Sequence, residues 1–282
     1  MVVRPVILDL DGAVGPLPCA LRLDLRRWHD ALRFACASRR LAAFAAHLPR
    51  VDGTAFLGSG DFHHLSLPLI ARTQALGLHV LVFDNHPDNM RFPFGVHCGS
   101  WVSRVAALPT VARVDVVGIT SADIGRGHAW ENRLLPLLRG RVRYWSIGVD
   151  TGWARRLGMG HAMRGFDDAP ALMDALLDTL ARERAPLYLS IDKDVLDPAE
   201  ARSNWDQGCL RVADLEAAIA VARPRIVGSD VTGEISVAAY PQWWKRWLSA
   251  LDEQPEVDAE TLAALQAQQH AVNLALWRAL SS

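Results

Sequence analysis

Leu78-His79-Val80-Leu81-Val82-Phe83-Asp84-Asn85-His86-Pro87-Asp88 is the stretch on which the fold turns. Its first six residues are a short, β-rich apolar run of the kind that forms a strand. Its last five put a potential metal ligand at every second position. While the chain stays extended, side chains alternate between the two faces. Asp84, His86 and Asp88 are then thrown to one side, and a single strand end offers three ligands. In open α/β sheets ligands bind beyond the carboxyl ends of the strands, which is where these residues fall.

Two other stretches repeat the theme. After the strand beginning at Leu187 comes Ser190-Ile191-Asp192-Lys193-Asp194-Val195-Leu196-Asp197-Pro198, with Asp192 and Asp194 at the same two-residue spacing. A third strand end supplies Gly58-Ser59-Gly60-Asp61-Phe62-His63-His64. Asp197, before a proline, reads as a cap or turn residue. Asp84, His86, Asp88, Asp192 and Asp194, with one histidine of the third stretch, make a set of two imidazoles and four carboxylates, hard and oxygen-rich, suited to Mn²⁺ and less typical of structural zinc. Four carboxylates also neutralise two divalent ions, whereas one ion would leave the site over-anionic.

Outward from these motifs, strands are expected at 5–10, 54–58, 79–84, 114–119, 142–147, 187–192 and 225–230. Helices are expected at 25–48, 65–76, 169–184, 212–222 and 259–280. This alternation produces a mainly parallel sheet with helices on both faces. No repeat, low-complexity tract or long linker interrupts it, so residues 1–282 are expected to form a single domain. The 282 residues are half hydrophobic, and 30 basic against 31 acidic side chains give a net charge of -1. That balance supplies no field towards nucleic acid or an anionic membrane, and a small-molecule partner is expected. Cys19, Cys36, Cys98 and Cys209 are scattered without a C-x-x-C pair, which indicates neither a zinc knuckle nor a disulfide framework. The start, Met1-Val2-Val3-Arg4-Pro5, has no signal-peptide pattern, and no run of eighteen apolar residues occurs. A cytoplasmic protein is expected.

The ordered motifs resemble those of the arginase/agmatinase/formiminoglutamase (ureohydrolase) family: a Gly-Gly-Asp-His turn, a D-A-H-x-D strand end and an S-x-D-x-D-x-x-D-P strand end. The second and third are matched by Asp84 to Asp88, with Asn for Ala, and by Ser190 to Pro198; the first is matched loosely. The resemblance runs from about residue 54 to 236 and implies a three-layer α/β/α fold. It implies two Mn²⁺ ions, with Asp84 and Asp192 as bridging carboxylates, His63 and Asp88 completing one shell, and His86 and Asp194 the other. It also implies a proton-shuttling His97 in Gly95-Val96-His97-Cys98-Gly99, a Glu234 beneath a guanidinium group, and an Asp150 reaching the substrate's polar tail. Activity follows as hydrolysis of a C–N bond in a small cationic guanidino, amidino or formimino compound, releasing urea or formamide. Homo-oligomers are common in the family.

The departures bear on substrate. Gly-Asp-Phe-His-His leaves His63 and His64 competing for one ligand position, with His63 preferred. Asn89 to Phe94 replaces the loop that grips an amino acid's carboxylate, and Asn204-Trp205-Asp206-Gln207-Gly208 replaces a Thr/Gly-rich turn, which argues against arginine. Trp205 and Asp206 become candidate substrate contacts, Trp205 by capping a cation. Trp243-Trp244-Lys245-Arg246-Trp247 reads as a packing patch or subunit contact. Three rivals remain. Ile7 to Val14, with Asp9 and Asp11, resembles the nucleophile strand of haloacid-dehalogenase phosphatases, with Asp167 and Asp168 as a late acidic motif. A single-zinc amide hydrolase shares the architecture, although Asp88, Asp194 and a first-motif His favour two ions. A non-catalytic metal or metabolite binder is the third.

Overall fold

The computed structural model describes residues 4–50, 53–238, 240–251 and 257–281; Met1 to Val3, where the amino-terminal reading began, lie outside them. In chain order the strands are β1 (Val6–Asp9), β2 (Leu21–Asp24), β3 (Ala35–Cys36), β4 (Thr54–Phe56), β5 (Leu78–Phe83), β6 (Val96–His97), β7 (Val111–Ile119), β8 (Val142–Ile147), β9 (Met163–Phe166), β10 (Leu187–Asp192) and β11 (Ile226–Thr232). Nine of them form one sheet in the order β2-β1-β4-β11-β10-β5-β7-β8-β9, and every pairing in it is parallel. β3 and β6 form a separate antiparallel ribbon.

The sheet is covered on both faces, as a parallel sheet requires. Along β5, Leu78, Val80 and Val82 enter one apolar cluster while Leu81 and Phe83 enter the other. Along β10 the parity is the same: Tyr188 joins the first cluster, and Leu187, Leu189 and Ile191 the second. Because β5 and β10 are neighbours in parallel register, Val82 beside Ser190, residues of like parity share a face. Asp84 and Asp192 therefore emerge on the same side of the same sheet end. The chain builds outward from β5 through β7, β8 and β9, then returns to place β10 on β5's other side. That reversal of direction makes the β5/β10 boundary the topological switch point, where crevices open in such sheets.

Strands and long helices follow the expected positions, the latter being Ala169–Arg182, Val212–Ala222 and Ala259–Ser281. The helix expected over 25–48 is instead broken into His29–Leu32 and Ser38–His47. Between them Phe34 adopts a left-handed φ of 70° and its N–H bonds Asp61, which turns the chain into β3. Tertiary bonds override a helix-favouring composition there. The helix expected over 65–76 is only Ser66–Ala71, preceded by a 3₁₀ segment, Gly60–Leu65. Among the described residues no helix is long and apolar enough to cross a membrane.

Candidate metal centre

Strand ends bring six side chains together. His63, from the 3₁₀ turn after β4, points its Nδ1 at Asp88 Oδ2 (3.0 Å), Asp84 Oδ2 (3.1 Å) and Asp192 Oδ2 (3.4 Å). His86 places its Nδ1 3.0 Å from Asp194 Oδ2 and 3.6 Å from Asp84 Oδ1. Two ligand sets result, His63/Asp84/Asp192 and Asp84/His86/Asp194, each with its donor atoms within 4.8 Å of one another. Asp84 belongs to both. All six are buried except His86, which is partly so.

Two buried atoms in this cluster, His63 Nδ1 and Asp84 Oδ2, have no hydrogen-bond partner. The carboxylates crowd Nδ1 at ion-pair distance without forming an aligned hydrogen bond, so lone pairs face a common space. Burial of polar atoms without partners is costly and calls for an explanation, an ion being one. The far side of His63 is fixed. Its Nε2 lies 3.0 Å from Ser190 Oγ, Ser190 donates to Asp230 Oδ1 at 2.6 Å, and Ser66 and Tyr188 donate to the same carboxylate at 3.0 and 2.8 Å. With Nε2–H directed at Ser190, Nδ1 is left bare towards the cluster. His86 is oriented likewise: its Nε2 lies 2.6 Å from Asp206 Oδ1, and Asp206 in turn accepts from Asn85.

Without a cation the cluster's charges conflict. Burial and the neighbouring charge of Asp84 push Asp88 and Asp194 up to about 7, and burial with Asp194 raises Asp192 well above the carboxylate range. Asp84 runs the other way: against its burial, His63 and His86 hold it down to about 2. Both imidazoles are raised well above their ordinary value by those carboxylates, despite burial. Asp84 apart, these groups retain protons because nothing else compensates them.

His64 is not part of this. It is fully buried with Nε2 3.7 Å from Cys36 Sγ, on the opposite side of its turn. The glycines either side of the site are required. A Cβ at Gly60 would come 3.1 Å from Asp192 Oδ2 and 3.2 Å from the Trp205 ring, and one at Gly233, whose φ is 93°, 2.4 Å from Asp192 Oδ1.

Above the cluster lies a cavity of about 330 Å³, walled by Phe34, Met90, Phe92, His97, Cys98 and Trp205, with Asp123 and Glu131 also on its wall. His97 lines it as expected, but its environment changes its chemistry. Nδ1 accepts the Gly99 N–H (2.9 Å), leaving the proton on Nε2, and burial drives its pKa down to about 4. It is a neutral imidazole at pH 7, where the resemblance implied a proton shuttle. Cys98 Sγ lies 3.6 Å from the same Nδ1, which is already occupied by Gly99, so no thiol–imidazole dyad is formed.

Three expectations meet a different placement. Glu234 is 2 % exposed and absent from the cavity wall; its Oε1 accepts from Lys193 Nζ (2.6 Å) and Asn273 Nδ2 (2.6 Å). Lys193, fully buried, supplies the positive charge that a substrate was expected to bring. Asp150 is exposed, accepts from Gly152 N at 2.8 Å in the turn before a short helix, and does not line the cavity. Asp206 sits behind His86, off the wall, while Trp205 is on it, stacked with Phe34 (ring centroids 6.3 Å apart, interplanar angle 7°). In the phosphatase-like motif, Asp9 is paired with Arg22 (3.2 Å) and Arg26 (3.0 Å), and Asp11 accepts from Ser59 N and Ser236 Oγ. Neither lines the cavity, and Asp168 caps the helix Ala169–Arg182. Of the Trp patch, Trp243 and Trp247 are exposed and Trp244 packs against the cluster around Phe34.

Sequence reading missed Lys193, Phe34 and the Ser190–Asp230 support. Parity along β10 gave a signal for Ser190, which faces the same way as Asp192. Phe34 gave none, since it reaches the wall through a left-handed turn inside a helix-like stretch.

Comparison with known proteins bears on the family and the fold. The model of the arginase family matches residues 27–234. An uncharacterized protein of Thermotoga maritima is 27% identical over 237 residues, 84% of this chain and 77% of that one. Proclavaminate amidino hydrolase of Streptomyces clavuligerus superposes with a TM-score of 0.54 at 16% identity, covering 99% of this chain and 93% of that one. The agmatine ureohydrolase of Thermoplasma volcanium does so at 0.53 and 14% identity, covering 99% and 91%. At such identities the likeness is one of fold.

Proposed function

The chain belongs to the arginase family, and from that premise we propose that it is a binuclear manganese hydrolase cleaving a C–N bond in a guanidino, amidino or formimino compound. The supporting observation is the sharing of Asp84 between two ligand sets, with His63 Nδ1 and Asp84 Oδ2 buried and unpartnered between them. His63, Asp84, His86, Asp88, Asp192 and Asp194 would hold the ions, a nitrogen and oxygen donor set that fits Mn²⁺. Such a metal pair would supply a nucleophile from water near neutral pH.

The protein's own groups do the positioning. Ser190 and Asp230 hold His63 in one tautomer, and Asp206 does the same for His86 from the opposite edge. His97 presents Nε2–H to the cavity as an uncharged donor, placed to hydrogen-bond the departing nitrogen. The aromatic wall excludes water from the reacting group, which strengthens these contacts.

The test joins metal analysis to turnover. Protein purified with Mn²⁺ should hold two ions per chain and release urea, ammonia or formamide from at least one guanidino, amidino or formimino compound. Asp84→Asn should abolish both. Two tightly bound ions with no turnover across the panel would favour a binding protein, and no bound metal would remove the proposal.

A further inference from the structure

We propose that the substrate of this centre carries an apolar, uncharged tail and that Trp205 is the residue that selects it, a reading that rests on the hydrolase assignment above. Between the metal-type floor and solvent, the apolar part of the described wall is Phe34, Phe92, Trp205, Met90 and Cys98, with Asn132, Asp123 and Glu131 beside it. Phe34 and Trp205 are stacked with their ring planes nearly parallel, which puts two aromatic rings side by side on the wall. His97 closes it, with its ring 4.3 Å from Phe34 and 5.3 Å from Phe92. Gly60 is what lets the Trp205 ring approach the floor, since a Cβ there would touch both the ring and Asp192. The wall therefore begins where the reacting group ends.

Charge on the wall points the same way. Three buried cations lie in the neighbouring elements, and each is committed elsewhere. Arg33 donates to Asp61 at 2.6 Å, Lys193 to Glu234 at 2.6 Å, and Lys245 to the carbonyls of Asp30 and Arg33 at 2.9 and 2.7 Å. None of the three lines the cavity. A carboxylate tail would give up its hydration on an apolar surface with no cation among the described wall residues, and would meet Asp123 and Glu131 as like charges. An ammonium tail would leave water for a wall made mostly of rings, a thioether and a thiol. Of the two wall acids, Glu131 is already 3.0 Å from His128. An alkyl or aryl tail loses nothing and gains the burial.

The test uses the Mn²⁺-loaded full chain and three compounds with one head and different tails: n-hexylguanidine, 6-guanidinohexanoate and 6-aminohexylguanidine. Calorimetry reads binding, and urea release is followed in parallel. n-Hexylguanidine should bind at least ~10-fold more tightly than either charged analogue, the scale of discrimination that an apolar pocket achieves. Trp205→Ala should bring the ratio to within about 3-fold, and Trp205→Phe should retain it. Equal or tighter binding of a charged tail, no binding of any of the three, or a ratio indifferent to Trp205→Ala overturns the proposal. The hydrolase reading fails separately: preferential binding without urea upholds the tail assignment and removes the activity, whereas urea from all three at equal efficiency does the reverse.

Discussion

Replacing Lys193 by Met tests whether the buried ammonium is the counter-ion of Glu234. Lys193 is 0 % and Glu234 2 % exposed, and the wild-type carboxylate takes two donors on Oε1 and none on Oε2. Met fills nearly the volume of the lysine stem, so the change is one of charge more than of packing. It leaves a buried carboxylate with Asn273 alone. Removing one member of a buried pair costs about 3–5 kcal/mol, because the survivor keeps its desolvation penalty and loses its compensation. At about 2–4 °C per kcal/mol for a chain of this size, the melting temperature should fall by roughly 6–20 °C. The double variant Lys193→Met/Glu234→Gln should recover most of that, since a neutral amide needs no counter-ion. Differential scanning calorimetry of wild type, both singles and the double closes the cycle. A single-variant loss below about 1 kcal/mol, or a double variant no more stable than Lys193→Met, would refute the pairing as the reason for the lysine.

Three further outcomes follow from the same charges. His97 has a folded pKa of about 4 against an ordinary 6.5, so its neutral form stabilises the fold above about pH 6.5 and that contribution is lost as pH falls towards 4. It is worth about 3 kcal/mol, and His97→Phe should flatten the denaturant-midpoint profile over that window. In the metal-free protein the sign is opposite. Asp88 and Asp194 rise from 3.8 to about 7, so stability is intact below about pH 3.8 and declines as pH rises towards 7, and the melting-temperature gain on adding Mn²⁺ should be larger at pH 8 than at pH 5.5. Asp84→Asn should lose both ions and Asp194→Asn one, which metal analysis after gel filtration distinguishes, because Asp84 alone belongs to both ligand sets.

The sheet was legible because its central strands are buried on both faces and read as continuous apolar runs, and the ligands were legible because parity along a strand is local information. Leu78 to Asp88 needs no knowledge of the rest of the chain to throw Asp84 and His86 to one side. The edge strands Leu21–Asp24 and Met163–Phe166 escaped notice: the first is largely exposed, and the second is short and only partly buried. Neither carries the apolar run that marks a buried strand. Which of His63 and His64 turns inward was decided by how the Gly60–Leu65 turn is wound. Glu234 meets an unforeseen partner for a different reason. Its place on the strand end was read correctly, but its partner, Lys193, sits between two ligands in a motif whose alternation turns it to the sheet's other face, towards Asn273 on the last helix. No local pattern foretells that contact between residues 80 positions apart.

How each buried acid is compensated separates the site from the scaffold. Asp9 has Arg22 and Arg26, Asp61 has Arg33, Asp115 has His79 and Arg113, Glu234 has Lys193, and Asp230 is satisfied by three hydroxyls. Each arrangement offsets the cost of burying a charge with a partner the chain itself provides. Asp84, Asp88, Asp192 and Asp194 differ: among the described residues no Lys or Arg reaches them, and the two imidazoles are their only cationic partners. A fold that gives each of its other buried acids an internal cation or, for Asp230, a full set of hydroxyl donors, and withholds both from these four, has left their compensation to something from outside. Two divalent ions match that deficit in charge, and with both imidazoles then neutral the sum at the site is zero. If the protein binds no divalent ion and retains its full stability at pH 8, the four acids are balanced by protons alone, and the deficit was never there to be filled.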